Sequence, residues 1–155
     1  MTIKLTHEPA TAGVVKKCQK LIKEFQGEKV FPGRLTQIET ELAGRYTYLM
    51  ERKADAQFHQ NSAYWTRKIS HSRHAIKARN SKDVKSMDLA NHIAIGKIAE
   101  QADGAISNID QENLSVWRYE HLNGFCKGLD KVLIAIAHRL KDAEREKQVS
   151  LQETG

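Results

Sequence analysis

The sequence predicts an all-α fold, a long antiparallel helical hairpin or bundle with a short N-terminal helix. The only prolines are Pro9 and Pro32, so roughly 120 residues follow without the residue that most strongly breaks helices. Apolar residues recur every three or four positions through most of the chain, which is the spacing of one helix face. With 155 residues, of which 40% are hydrophobic, residues 1–155 fit a single helical domain that can bury a core.

The first helix is expected to begin near Pro9, because proline suits the first turn of a helix. Gly27 is a suitable residue to end it, and residues 1–8 are expected to form a flexible tail. The apolar residues between these points share one face: Val14, Val15, Cys18, Leu21, Ile22 and Phe25. The only cysteines, Cys18 and Cys126, lie at apolar helical positions and are expected to be buried, reduced thiols.

The second helix is expected to begin after Gly33 and to carry two apolar stripes. The first stripe is Leu35, Ile38, Leu42, Tyr46 and Leu49, and the second is Phe58, Trp65, Ile69 and Ile76. Leu42 and Trp65 differ by roughly 140° around a helix axis at 100° per residue, so one straight helix cannot present both stripes to one partner. Either the helix kinks or breaks around residues 58–62, or different partners cover the two levels. We favour a nearly continuous helix with a disturbance there, and expect both stripes to be core.

The chain is expected to fold back at about residues 79–86, where Ser81 or Ser86 could cap the next helix. A weak interruption is expected at residues 107–110, with Asn108 or Asp110 as the cap. The apolar residues of this middle part form one stripe: Val84, Ile95, Ile98, Ala102 and Ile109.

The last helix has the clearest apolar pattern, close to the heptad seam of a coiled coil. Its apolar residues are Leu122, Phe125, Leu129, Leu133, Ile136 and Leu140. The apolar face is lost from Lys141 onward, so residues 147–155 are expected to form a second flexible tail. Elongated helical hairpins leave apolar surface uncovered, and we therefore expect a homo-oligomer.

The main functional signal is an uneven distribution of charge. The net charge is +6. Residues 64–82, YWTRKISHSRHAIKARNSK, contain six Lys or Arg and no Asp or Glu, whereas the other 19 Lys and Arg balance 19 Asp and Glu. Because no local acid can form the i,i+4 pairs of an ordinary solvated helix face, the cations must be neutralised by another segment, another subunit or a ligand.

We therefore predict that residues 64–82 contact nucleic acid, with ssDNA or RNA favoured over specific double-stranded DNA. Lys and Arg contact phosphates and release counterions, and an exposed Tyr can stack on an unpaired base. The predicted phosphate contacts are Arg67, Lys68, Arg73, Lys77, Arg79 and Lys82, with Tyr64 as the stacking residue. The alternative partner is an acidic protein surface, and the protein would then be an interaction or assembly module, such as a structural subunit or an inhibitor.

Catalytic and membrane signatures are missing from the sequence. We find no phosphate-binding glycine loop, HExxH, nucleophile elbow or CxxC, so we expect a non-enzymatic protein without a cofactor. His71 and His74 could meet on one helix face, but the surrounding cations would repel a metal ion, and no metal site is expected. No apolar run is long enough to span a membrane and no signal-peptide core is evident, so we expect a cytoplasmic protein.

Residues 116–143 resemble the C-terminal helix of the UvsY recombination mediators of phages. The resemblance rests on the aromatic region at Trp117, the run FCKGLD at residues 125–130 and the apolar and basic pattern that follows, and it is confined to this segment. The first 30 residues do not resemble that family's acidic start, and the first long helix lacks a Tyr-Tyr-Gly-type end. The resemblance implies an oligomeric, ring-like helical protein that binds ssDNA and helps to load a RecA-like recombinase.

Overall fold

The computed structural model describes residues 5–27, 30–100 and 106–153. Four α-helices lie in these ranges: α1 (Pro9–Phe25), α2 (Pro32–Arg79), α3 (Met87–Ala99) and α4 (Asn108–Glu153). No strand occurs in the described ranges, and the predicted all-α fold is confirmed. No helix among the described residues is long and apolar enough to span a bilayer.

The chain divides into two compact units that share its two long helices. The α3 unit contains Ala54–Glu120, and the α1 unit contains His7–Lys53 and His121–Gly155. Since α2 and α4 contribute residues to both units, no simple boundary along the chain separates them. The prediction of a single domain stays a prediction.

The core of the α1 unit follows the predicted apolar faces closely. Helix α4 runs antiparallel to α2 here, because Leu35 and Arg139 line one cleft whereas Tyr46 lies near Asp130. Both cysteines are free and buried, and burial raises the pKa of the Cys18 and Cys126 thiols, as expected for thiols that serve as small apolar residues. The buried apolar residues are Val15, Cys18, Leu21 and Phe25 of α1, Leu35, Ile38, Leu42 and Leu49 of α2, and Leu122, Cys126, Leu129 and Ile136 of α4.

Helix α2 continues through residues 58–62 without a break, and the second predicted core stripe is wrong. The exposed fractions of its members are 71% for Phe58, 62% for Trp65, 49% for Ile69 and 63% for Ile76. The α3 unit instead buries small residues of α2, namely Ala56, Ala63 and Ala75.

The reason is the position of two buried alanines. Ala56 and Ala63 lie seven residues apart, and both are buried. A seven-residue step turns an α-helix by only about 20°, so both alanines hold the same face inward. Phe58 and Trp65 each follow one of these alanines by two residues, about 200° around the helix, and therefore lie on the opposite side.

A serine side chain caps the N-terminus of α3 and also that of α4. Ser86 Oγ accepts a hydrogen bond of 3.1 Å from the Leu89 N–H and begins α3, as one of the two predicted caps. Helix α4 begins at Asn108, but its cap is Ser107 and not the predicted Asn108 or Asp110. Ser107 Oγ accepts from the Asp110 N–H at 3.1 Å and donates to the Asp110 carboxylate at 2.8 Å, a reciprocal pair that resembles a capping box.

The middle stripe is only partly correct. Ile98 is buried with Ala90 and Ala94, whereas Ile95 is half-exposed, because α3 packs through its small residues. The predicted stripe residue Ala102 lies outside the described residues.

Helix α4 includes residues 147–153, which the sequence analysis assigned to a tail. No Gly or Pro interrupts the chain between Lys141 and Glu153, and Glu, Lys, Arg, Gln and Ala favour the helix even where nothing covers it. Residues 1–4 and 154–155 of the two predicted tails lie outside the described residues.

Candidate nucleic-acid interface

The basic segment, residues 64–82, lies in the α3 unit. Residues 64–79 form the end of α2, and residues 80–82 belong to the turn that follows. The segment contains all seven predicted nucleic-acid contacts, and the structure divides them into three groups by what each side chain touches.

Arg67 is anchored to α4. Its guanidinium donates hydrogen bonds to both carboxylate oxygens of Glu112, and both side chains are largely covered. This hydrogen bond raises the pKa of Arg67, so the guanidinium stays charged within the pair. Arg67 is therefore the least available of the six predicted phosphate contacts.

Tyr64 lies beside two of the cations and beside Trp65. The Arg67 guanidinium and the Lys68 ammonium lie 5.6 Å and 5.4 Å from the centre of the Tyr64 ring, which are cation–π distances. The rings of Tyr64 and Trp65 meet edge to face at 5.4 Å. Tyr64 is 37% exposed, so its predicted role as a stacking residue is sterically possible, but the more exposed ring is that of Trp65.

The other five cations of the basic segment point to solvent. No ion pair joins any of them to a described residue, and each is exposed: Lys68, Arg73, Lys77, Arg79 and Lys82. Among the described residues, another segment of the chain neutralises only Arg67, through Glu112. That another segment, another subunit or a ligand neutralises the other five cations stays a prediction.

These cations border the apolar stripe that α2 exposes. We call Phe58, Trp65, Ile69 and Ile76 the apolar ridge, since at 100° per residue they lie within a wedge of about 40° and extend about 27 Å along the helix. On the same wheel, Lys68 and Arg79 lie about 40° to 60° to one side of Trp65, and Arg73 and Lys77 lie about 80° to 120° to the other. The ridge is thus an apolar and aromatic surface with positive charge along both sides.

Sequence reasoning missed the ridge because it placed Trp65 and its neighbours in the core. The signal that could have corrected it was the heptad of small residues through Ala56 and Ala63, which competes with the large residues for the inward face. The position of cations on both sides of Trp65 agrees with this, because charged side chains remain in solvent.

His71 and His74 lie on α2 and are partly covered. No group of three His, Cys, Asp or Glu among the described residues is placed to hold a metal ion.

The Arg67–Glu112 pair should contribute measurably to the stability of the α3 unit. We expect a coupling free energy of about 1 kcal/mol from a double-mutant cycle of Arg67→Gln and Glu112→Gln, at the upper end for surface pairs because both side chains are largely covered. Urea unfolding of the four proteins measures it. The exposed pair Lys97–Glu100 of α3 is the control and should show a smaller coupling, so equal values for the two pairs would contradict the anchoring role.

Comparison with known proteins gives no assignment: no protein-family model, curated protein or solved structure matches this chain. The site therefore stands on its own geometry and charge.

Proposed function

We propose that the protein is a non-enzymatic, oligomeric, cytoplasmic accessory protein of recombination or replication that binds single-stranded DNA or RNA without sequence preference. The observation that carries the proposal is the apolar ridge with unpaired cations along both sides. The predicted contacts Lys68, Arg73, Lys77, Arg79 and Lys82 supply the charge, and Trp65 and Tyr64 supply the aromatic surface.

The combination of unpaired cations and exposed aromatic rings favours single strands over duplexes. Proteins that hold single strands without reading sequence combine a positive track for the backbone with aromatic side chains on which bases stack. A duplex keeps its bases stacked on each other and offers mainly phosphates, so an exposed Trp and Phe on the binding face would gain little from it. Trp65 and Phe58 lie one heptad apart on the same face, about 10 Å along the helix, which allows two bases of one strand to meet both rings.

Helix α3 supports the oligomeric part of the proposal. It buries Ala90, Ala94 and Ile98 but leaves Leu89, Ile93 and Ile95 substantially exposed. A helix that is apolar on several sides is usually covered, and the only Asp, Glu, Lys or Arg residues of α3 are Asp88 and Lys97, so few charges would oppose pairing with a second copy. A monomeric native mass by sedimentation would contradict this part.

The assignment to recombination or replication rests on the resemblance of residues 116–143 to the UvsY mediators. The resemblance adds no residue to the interface.

Binding should depend steeply on salt. If five cations contact the phosphates of a single strand, log K should fall with log salt with a slope of about −3.5. Fluorescence anisotropy titrations of ssDNA, dsDNA and RNA at two or more salt concentrations measure the slope and the preference. A flat salt dependence, or equal affinity for ssDNA and dsDNA, would contradict the proposal.

A further inference from the structure

A cleft of about 590 Å³ lies at the end of the basic segment, where the turn between α2 and α3 brings the two helices together. All of its lining residues belong to the α3 unit. Ligand pockets typically measure about 300 to 1,000 Å³ and combine an apolar lining with a few polar groups, and this cleft has both properties.

The apolar part of the cleft comes from Ala75, Ile76 and Met87. Ala75 is buried, whereas Ile76 and Met87 each leave more than half of their surface exposed. Ile76 is also the last residue of the apolar ridge, so the cleft continues the ridge at its C-terminal end. The Ser86 cap fixes the start of α3 and with it the position of Met87.

The polar lining includes His71 and Ser72 of α2, and beside them two amides and a cation, Asn80, Asn91 and Arg79. Among the described residues, neither Asn side chain has a hydrogen-bond partner, and Arg79 has no ion pair. An amide offers a donor and an acceptor side by side, which is the pattern of a nucleobase edge, and a guanidinium suits a phosphate.

We propose that this cleft takes one unpaired nucleobase of the bound strand, an inference that rests on the proposed function. The base lies against Ile76 and Met87, its hydrogen-bonding edge faces Asn80 and Asn91, and Arg79 holds an adjacent phosphate. A paired base cannot enter, because its edge is engaged by its partner and its faces are stacked. Each amide can turn over to present either its donor or its acceptor, so the cleft can accept different bases and selects unpaired bases without reading sequence.

A second copy of the chain is the less favourable occupant. A two-fold contact through this surface would place the basic segments of both copies together, and like charges at close range repel. A nucleic-acid strand instead neutralises the positive charge of the basic segment.

One titration tests base binding in the cleft separately from single-strand binding by the protein. The probe is an oligonucleotide in which 2-aminopurine alternates with thymine, labelled with fluorescein at its 5′ end. Fluorescein anisotropy reports binding of the strand, and 2-aminopurine intensity reports the surroundings of its bases. The variant is Asn80→Ala with Asn91→Ala, and the control is Asn61→Ala with Asn113→Ala, which removes two exposed amides from the same unit.

For the wild-type protein and the control, both signals should change. For Asn80→Ala/Asn91→Ala, the 2-aminopurine change should be clearly smaller than in the control but not absent, because bases that stack on Trp65 and Phe58 still change their surroundings. Single-strand affinity should fall about 10-fold, within the range for one bidentate base contact, while duplex affinity stays within about 2-fold. A normal anisotropy change with the same 2-aminopurine signal in all three proteins would overturn the cleft and leave the proposed function intact.

Two further outcomes would also overturn it. If the wild-type protein gives no anisotropy change, both the proposed single-strand binding and the proposed base binding in the cleft are contradicted. A lower native mass of Asn80→Ala/Asn91→Ala would assign the cleft to contact with a second copy.

Discussion

Replacing Arg73, Lys77 and Arg79 by glutamate should lower the affinity for single strands by at least about 100-fold at physiological salt. The change removes three of the five cations that have no acidic partner and adds three charges that repel phosphate. The slope of log K against log salt should become shallower, from about −3.5 to about −1.4, because only Lys68 and Lys82 remain of the five cations. Arg67 is left in place, because a glutamate there would face Glu112 and destabilise the α3 unit for a reason unrelated to binding.

The matched control makes the same change of charge elsewhere. Lys16, Lys17 and Lys20 are exposed on α1, and their replacement by glutamate should change affinity by less than about 5-fold, through net charge alone. Anisotropy titration measures binding, and sedimentation measures the native mass. If the α1 variant loses binding and the α2 variant keeps it, the basic segment is not the interface. If the α2 variant loses assembly but the wild-type protein binds no nucleic acid, the basic segment docks on an acidic protein surface instead.

The second large effect concerns the stability of the α3 unit. Ile98→Ala should lower the free energy of unfolding by about 2 to 5 kcal/mol, because the side chain is 3% exposed and its removal leaves a cavity. Ile76→Ala removes the same atoms from the same unit, but Ile76 is 63% exposed and the cost should stay below about 1 kcal/mol. Urea unfolding of the two variants and the wild-type protein measures both values.

This pair tests the orientation of α2 directly. The large-residue stripe read from the sequence makes Ile76 a core residue, and similar losses for the two variants would restore that reading. A small loss for Ile76→Ala combined with weaker single-strand binding would support both the exposed ridge and its proposed role.

The errors in the sequence reading share one physical origin. Large apolar residues dominate a periodicity argument, and Phe58, Trp65, Ile69 and Ile76 fall within about 40° of one another on the helix wheel. Where helices approach closely, however, alanine is the residue that fits between them, and α2 and α3 both pack through alanines in the α3 unit. Ile98 is buried because it shares a helix face with Ala90 and Ala94, at spacings of four residues, whereas Ile95 lies off that face and is half-exposed.

The candidate site was predictable in composition but not in arrangement. The cluster of cations is visible in residues 64–82 because charge requires no knowledge of packing. The partner of Arg67 could not be read from the sequence, since Glu112 lies 45 residues away on another helix. The amides of the cleft were invisible for the same reason, because Asn80 and Asn91 meet only when α3 returns along α2.

By itself, the sequence determined the helical class, the start of α1 near Pro9, a serine cap at Ser81 or Ser86 and the location of the uncompensated charge, because each depends on local backbone preference or on charge alone. Only the tertiary structure decided which face of α2 turns inward and which cation is neutralised. It also decided where an exposed apolar surface, the ridge, lies beside the cations that have no ion pair. Those outcomes depend on contacts between residues distant in sequence, and in the α3 unit most of the residues that those contacts bury are alanines, which a search for large apolar residues passes over.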